Sequence, residues 1–464
     1  MMYLVISAFL FLLPYFFSKL YGLLFFSLAP LFYRSYYRGY GFWYGFVWGM
    51  VVFSVHTGWF LQSILLHGVG YKSFLFWALI VAWFSLFAGI WFWLQSLMQK
   101  NLKGDFGFMV SWTVATVLFF YSIIESSLLC CGVCEGYIFF NPTIILAQCS
   151  PMIWSIRYVK SYGMIACLCL AQIAMITTVV RSCWYIFVLF VAMIPFISGF
   201  IFYEPKQLPP LPICFVKPWW HESKDPIFVG YRMVHDVTML QHERPDIRSI
   251  VMPESSFGWN IYNYFQFITM MSDYCAQTKI LFGGQRTVDA LSRGSFFVVQ
   301  NGEIVFTYDK VHLMPFVERF CYLFGLSLFQ RSLQQHDFFV YGDNDQDDVI
   351  EIEQIKVQLF ICSELFFEAK SVKGLPILFV CNDTWFCCDY AKRWVSLFVN
   401  YCSIKYDVPI VWAAVSGLTN IEQFQRLQFP SSSHLNGFQM SSLYSCPFQY
   451  PLRKQPFEQG KIPE

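Results

Sequence analysis

Apolar residues fill the first 203 positions in long blocks and then break into short runs after a proline-rich stretch. A bilayer span needs roughly 20 apolar residues, fewer when it is short or packed. On that rule the blocks at 3–17, 20–33, 41–66, 73–98, 107–130, 161–181 and 183–203 are candidate spans. The first two are short and divided by Lys19, so two spans and one bent helix are both open readings, giving six or seven in all. The N-terminal segment has neither a basic flank nor a small-residue cleavage site, and it reads as a retained span. Between the blocks, 125–160 is irregular, with Glu125, Glu135, Pro142 and Pro151 among apolar residues. This stretch is expected to lie on the membrane surface and shape lateral access for lipid.

The stretch 204–212, with four prolines, reads as an extended linker. Beyond it the pattern changes to strand-like runs rich in Val, Ile and Phe, at 213–217, 247–252, 278–283, 295–300, 303–308, 355–361, 375–381 and 408–415. Asn301-Gly302, between two of these runs, is a two-residue hairpin signal. Longer amphipathic stretches at 226–242, 258–277 and 389–404 read as helices, and Gly283 to Arg286 ("GGQR") as a turn. Alternating strands and helices predict a layered α/β domain. The fold expected is therefore a multi-pass α-helical membrane domain at 1–203 followed by an α/β domain from 213 to about 450, with a polar tail at 451–464.

Charge sharpens this division. Hydrophobic residues make up 56% of the 464, and the net charge is +1. Residues 1–203 hold only nine Lys/Arg and three Asp/Glu, whereas the remainder holds twenty-two and twenty-seven. With seven spans and the N-terminus inside, Arg34, Arg38, Lys100, Lys103 and Arg181 fall in inner loops, and Lys72, Arg157 and Lys160 in outer ones. The bias places the α/β half outside the cytoplasm. There is no glycine-rich phosphate loop and no basic nucleic-acid patch, so no nucleic-acid partner is expected.

Three strand ends carry polar residues that packing does not explain. "IVMPE" ends on Glu254, "VFTYDKVH" carries Lys310 and His312, and "LFICSE" carries Cys362 and Glu364. In open α/β sheets sites gather at the carboxyl ends of strands. Each residue alone has a plain reading: a solvated carboxylate, a surface lysine, a buried thiol. Together they supply a base, an ammonium and a nucleophile. His312 is expected to be structural, since this set needs no imidazole. The other eight cysteines of the second half show no CxxC spacing and should be mostly buried free thiols, and no metal or cofactor is expected.

With "PESSFGWN" (253–260), "YDKVHLMPFVE" (308–318), "ICSELFF" (361–367), "CNDTWF" (381–386) and "AAVSGLTN" (413–420), the chain resembles the carbon–nitrogen hydrolase (nitrilase) superfamily. Its multi-span first half makes it similar to the membrane-bound apolipoprotein N-acyltransferase branch. The resemblance implies an αββα sandwich, a general base at Glu254, an oxyanion-stabilising Lys310 and a nucleophilic Cys362. Glu318 and Glu364 match supporting glutamates. Implied too are a phospholipid acyl donor, a diacylglyceryl-apolipoprotein acceptor and a cysteine thioester between them. The expected setting is the bacterial inner membrane, with a monomer whose catalytic domain faces the periplasm. Aromatic segments 257–267 and 316–330 are either lipid-facing arms or ordinary core, and Trp219 and Trp220 lie where the family often has a tryptophan. Two departures stand out: Ser363 replaces the tyrosine usual after the nucleophile, and no final apolar span is seen after residue 420. Two rivals remain, a membrane-tethered amidase that discharges the thioester to water and a non-catalytic lipoprotein-binding remnant. An intact Glu–Lys–Cys set argues against the remnant, and the depth of embedding argues against a tether.

Overall fold

The computed structural model describes residues 1–39, 41–66, 72–124, 138–204, 213–215, 226–243, 245–254, 267–270, 277–288, 291–313, 342, 346–366, 371–386 and 388–414. The first half is helical. Helix α1 (Met2–Phe16) is followed by a 3-10 segment (Ser18–Phe26) and α2 (Ala29–Tyr37). The Tyr3 ring lies 5.9 Å from Tyr33, so α1 and α2 run antiparallel and are not one bent helix. Gln172 holds the break between them, accepting from Leu28 N at 2.7 Å and donating to the Leu24 carbonyl at 3.0 Å. The block at 41–66 divides at Thr57 into α3 (Phe42–His56) and α4 (Gly58–Leu66). Helices α5 (Lys72–Asn101) and α6 (Gly104–Ile124) come next.

Residues 138–153 form a 3-10 turn (Ile138–Phe140), α7 (Pro142–Leu146) and α8 (Ser150–Ile153). Asn141 caps α7, accepting from Thr143 N at 3.0 Å, and Pro142 and Pro151 sit in the first turns of α7 and α8, where no N–H partner is needed. Burial along this stretch, through residue 160, is uneven, with Gln148 and residues 158–160 exposed. Residues 138–147 are buried, and they form a seat described below. Residues 125–137 of the same expected stretch lie outside the described residues. Helices α9 (Ile156–Val180) and α10 (Tyr185–Phe202) complete the half.

Among the described residues, four helices are long and apolar enough to cross a membrane: Ser73–Asn101, Gly104–Ile124, Ile156–Val180 and Tyr185–Phe202; α1 and α3 are shorter and apolar. Close contact between α3 and α5 depends on Gly45 and Gly49. A Cβ at Gly45 would lie 2.2 Å from the Ala88 carbonyl oxygen, and one at Gly49 2.8 Å from Ser85 Cα. Small residues four apart let helix backbones approach where lipid gives no hydrophobic drive.

One end of the bundle gathers the loops whose charges predicted the inner side. Tyr36 and Tyr185 donate to the two carboxylate oxygens of Asp105 (2.8 and 2.9 Å), and Arg181 bonds the Tyr36 hydroxyl. The α/β half sits at the opposite end.

Among the described residues, that half contains two sheets. The first has the order β1 (Ile213–Phe215), β2 (Ser249–Val251), β3 (Lys279–Val288), β4 (Leu291–Gln300), β5 (Glu303–Asp309), parallel at β1–β2–β3 and antiparallel from there. The second runs β6 (Val349–Ile352), β7 (Ile355–Ile361), β8 (Ile377–Cys381), β9 (Ile410–Ala414), with β7 to β9 parallel. Side chains alternate between faces with period two. Ile250, Met252, Ile280, Phe282, Phe297 and Val299 pack on helix α11 (Pro226–Glu243). Val251, Leu281, Phe296, Val298 and Tyr308 face the other way and join Ile350, Val357, Leu359 and Ile361 of the second sheet. The outer face of the second sheet is covered by α13 (Asp389–Tyr406); a one-turn helix α12 (Ser363–Phe366) precedes it. The layers are thus helix, sheet, sheet, helix.

Two local readings differ from expectation. Gly283 to Arg286 lie inside β3, not in a turn, with Gly283 opposite Phe296 and Arg286 opposite Arg293. Cross-strand pairing and the pull of a buried carboxylate on Arg286 override the local turn signal of two glycines. Strand β6 was also not foreseen, because Glu353-Gln354 lacks turn residues. Both have positive φ (48° and 69°), as do Asn301 and Gly302 (53° and 75°) in the foreseen hairpin. Gln354→Gly is therefore expected to stabilise the protein by about 1 kcal/mol, read as a rise in denaturation midpoint. An unchanged or lower midpoint would contradict this account of the turn. Of the helix expected at 258–277, residues 267–270 and 277 are described; 267–270 are helical and 277 is a turn.

Helix α13 is bolted to the helical half along its length. Arg157 pairs with Asp407 (2.7 Å) and donates to the Ile404 carbonyl (2.9 Å), and the Ser161 and Tyr401 hydroxyls bond each other. Asn400 donates to the Ala147 carbonyl and Ser150 Oγ (2.7 and 3.0 Å). Tyr390 Oη accepts from Trp59 N at 3.1 Å and donates to the His56 carbonyl at 3.4 Å.

Candidate active site at the strand ends

The carboxyl ends of β2, β5, β7 and β8 meet along one edge of the two-sheet core. Glu254 follows β2, where Gly283 N donating to the Pro253 carbonyl (3.3 Å) prolongs the pairing with β3. Lys310 follows β5 and is held by its own backbone, with N to the Gly294 carbonyl (2.8 Å) and its carbonyl accepting from Gly342 N (2.9 Å). Their side chains form an ion pair, Lys310 Nζ to Glu254 Oε1 at 2.8 Å. The lysine side chain is 0% exposed and the glutamate 12%, so the ammonium is sealed behind its carboxylate. Glu254 Oε2 accepts from the backbone N–H of Asn382 (2.9 Å), just past β8. A charged pair in a dry site is strong only when each partner keeps its other hydrogen bonds, and the Asn382 N–H supplies one of them.

Cys362 follows β7. Its N–H donates to the Val380 carbonyl (2.8 Å), continuing the parallel ladder one rung past Ile361. Its φ is +43°, a left-handed conformation unusual for a residue with a Cβ, and α12 begins at the next residue. A strand, a strained residue and a helical turn together make an elbow that lifts one side chain out of the sheet. The residue is 9% exposed.

Glu364 is fully buried. Its Oε1 accepts from Tyr308 Oη (2.7 Å) and Val311 N (2.8 Å), and its Oε2 from Ile361 N (2.9 Å). One carboxylate thus clamps the residues flanking Lys310 to the residue before Cys362. Burial, followed by the nearby Glu364 charge, pushes the Tyr308 hydroxyl far above its ordinary value, so it stays a donor. Ser363 Oγ bonds the His312 carbonyl, tying the elbow to the same segment. A small hydroxyl residue can fill this buried place, which gives Ser363 a role of its own where the resembled family has tyrosine.

On the opposite face of β5, Asp309 receives Arg286 (2.7 and 2.5 Å), Arg293 (3.0 Å) and Ser295 Oγ (2.7 Å). Burial alone would raise its carboxyl, but the donors, Arg286 first, outweigh burial and hold it below the ordinary range. It stays charged and anchors the strand that presents Lys310. On the rung beside Cys362, burial first and then the charges of Asp383, Cys362 and Glu254 push the Cys381 thiol well up. Cys381 therefore remains a protonated core thiol, with Trp412 Nε1 donating to its sulfur at 3.0 Å.

Of the residues singled out in the sequence, Glu254 and Lys310 are in contact, Cys362 stands at the neighbouring strand end, and Glu364 braces the two strands. His312 takes part through its backbone carbonyl, which accepts from Ser363 Oγ. Glu318, Trp219, Trp220, Cys387, the segments 257–266 and 316–330, and the tail at 451–464 lie outside the described residues. Sequence reasoning missed Tyr308, the Asn382 backbone and the Asp309 cluster. "CNDTWF" was the available signal for Asn382, since it follows the strand beside β7. Cys381 and Cys402 are buried free thiols and Cys388 is half-buried. Among the described residues, no group of three or more His, Cys, Asp or Glu side chains is placed to hold a metal ion.

A two-sheet α/β domain with a glutamate, a lysine and a cysteine at converging strand ends, seated on a bundle of apolar helices, is the class that fold and site define. No family model matches the sequence, and no curated protein matches it. Among solved structures, the chain is similar to glutamine-dependent NAD+ synthetase from Acinetobacter baumannii in complex with ADP, at 14% identity and a TM-score of 0.31 over 44% of this chain and 38% of that one. It is similar to XC1258 from Xanthomonas campestris, a CN-hydrolase superfamily protein with an arsenic adduct in its active site, at 14% identity and a TM-score of 0.30 over 44% and 74%. For a glutamine-dependent NAD+ synthetase from Cytophaga hutchinsonii the values are 11%, 0.26, 43% and 34%. The chain thus spans well under half the length of either synthetase. Likenesses this slight do not define a family for the chain.

Proposed function

We propose that the protein is a membrane-bound acyltransferase that moves a fatty acyl chain from a phospholipid, through a Cys362 thioester, to the N-terminal amine of diacylglyceryl-cysteine lipoproteins. The observation that carries this reading is the sealed Lys310–Glu254 pair beside the Cys362 elbow, in a domain whose outer helix is bolted to apolar helices. Residues 213–450 would form the catalytic domain, facing the periplasm from the bacterial inner membrane.

In the first half-reaction Glu254 takes the Cys362 proton and the thiolate attacks an ester carbonyl of the phospholipid. Lys310 and backbone N–H groups stabilise the oxyanion. The C–O bond breaks, the leaving lysophospholipid oxygen receives the proton from Glu254, and the acyl group stays on sulfur. In the second half-reaction the lipoprotein amine attacks the thioester, Glu254 takes the amine proton, and the thiolate leaves as the amide forms. Glu364 holds Lys310 and Cys362 in register, and Glu318 would assist on the lysine side or at the acceptor amine.

The test uses the full chain in detergent with a phospholipid of defined chains. Intact-mass and peptide mass spectrometry should find one acyl group, on Cys362. Adding a diacylated lipopeptide should move it to the peptide's α-amine. Loss of the thioester only to water would replace this reading with an amidase, and the absence of any adduct would remove both enzymatic readings.

A further inference from the structure

The helical half reaches under the elbow itself. Phe366 closes α12 four residues after Cys362 and is fully buried. Its ring packs against Phe398 (5.3 Å), Phe379 (5.7 Å) and Phe386 (6.2 Å) of its own domain, and against Phe139 of the helical half (5.7 Å). Phe139 also stacks on Trp394 at 4.2 Å and lies 6.0 Å from Phe386. Trp59, again from the helical half, packs on both Phe139 and Phe386 (5.2 and 5.3 Å). His56 Nε2 donates to the Phe139 carbonyl (3.0 Å), and the His56 carbonyl accepts from Tyr390 of α13. The wall beneath the nucleophile's turn is therefore built from both halves, with Phe139 wedged between α12 and α13.

A left-handed cysteine persists only where its surroundings over-determine the turn. In a close-packed wall of rings, removing one leaves a void that neighbours fill only in part. From this we infer that Phe139 is a positioning residue for Cys362: it holds α12, and through α12 the sulfur, in register with Lys310 and Glu254. The helical half then does more than tether. This rests on the proposed role of Cys362 as nucleophile and specifies what the membrane half contributes to it.

The experiment measures alkylation of Cys362 by iodoacetamide against pH, located by peptide mass spectrometry, in the full chain in detergent. Phe139→Ala is expected to slow Cys362 alkylation and acyl-adduct formation by about tenfold or more. It should also displace the midpoint of the alkylation–pH profile from that of the parent, because the sulfur moves relative to the charges of Lys310 and Glu254. Phe139→Tyr should restore both. Phe139→Leu, which keeps apolar bulk and loses the stacked ring, gives an intermediate value and keeps the test alive if the alanine variant does not fold. Trp112→Ala, a buried residue bonded to Ser35 and packed on Phe32 near the Asp105 end of the bundle, is the control for general loss of stability. If Phe139→Ala and Phe139→Leu melt lower, as the control does, yet leave the rate and pH profile unchanged, the inference is overturned. The alkylation readout needs no lipid. A shifted profile without any wild-type acyl adduct would support positioning while refuting the acyl-transfer reading.

Discussion

Cys362→Ala is expected to abolish the acyl adduct and to cut transfer on the order of 10⁴-fold or more, since the variant retains only binding and electrostatic stabilisation. Cys388→Ser should leave the adduct in place. Glu254→Gln and Lys310→Met should each cost on the order of 10²- to 10⁴-fold, and the three losses should not multiply, because the residues act as a unit. Stability separates the two charged partners. Removing Glu254 takes the carboxylate from an ammonium whose side chain is fully buried, at a cost of about 3–5 kcal/mol. Removing Lys310 leaves a carboxylate with some access to water and its Asn382 N–H, so the loss should be smaller. An adduct surviving in Cys362→Ala, or losses in double variants equal to the product of the singles, would sink the assignment.

Glu364→Gln is expected to be the most damaging substitution that touches no reacting atom. Three groups that bond the carboxylate, the Tyr308 hydroxyl and the Val311 and Ile361 N–H groups, are donors. An amide NH₂ must turn toward one of them, leaving a buried donor against a donor. The cost should be about 2–4 kcal/mol, with activity falling alongside. Tyr308→Phe, which removes one donor and leaves the carboxylate intact, should cost only about 1 kcal/mol. Chemical denaturation in detergent measures both. If Glu364→Gln stays within about 0.5 kcal/mol of the parent, the clamp is not what holds the two strands.

What the sequence made legible, and what it hid, follows from contact range. Glu254, Lys310 and Cys362 each stand directly after an apolar run, so their placement at strand ends could be read locally. Asn301-Gly302 announced its hairpin because Gly carries positive φ at no cost. Glu353-Gln354 makes the same turn with side chains that do not advertise it. Gly283-Gly284 looked like a break and is strand, because its conformation is set by β4 across the ladder and by Asp309 on β5. The order of the apolar blocks, read as alternating spans, grouped the segments of Tyr36, Asp105 and Arg181, and these meet in the structure. The seat at 138–153 was hidden for a different reason. Its prolines and short turns look irregular alone and find their order only against α13, a partner more than half the chain away. Even Ser363, a mismatch when set against the resembled family, has its explanation in a carbonyl 51 residues distant.

Helix α13 also bears on how this chain can be handled and how it can change over time. One of its sides completes the sandwich and the other is fastened to the bundle by Arg157, Ala147, Ser150 and Ser161. A cut in the proline-rich linker would not yield an independent soluble domain, because the excised piece would carry a raw apolar flank around Trp394 and an elbow missing part of its wall. The two halves are sequential in the gene and a single object in space. Substitutions on either side of that seam must be accepted as matched pairs, and exchanging the bundle for a simple anchor should disable the chemistry before it disturbs the fold.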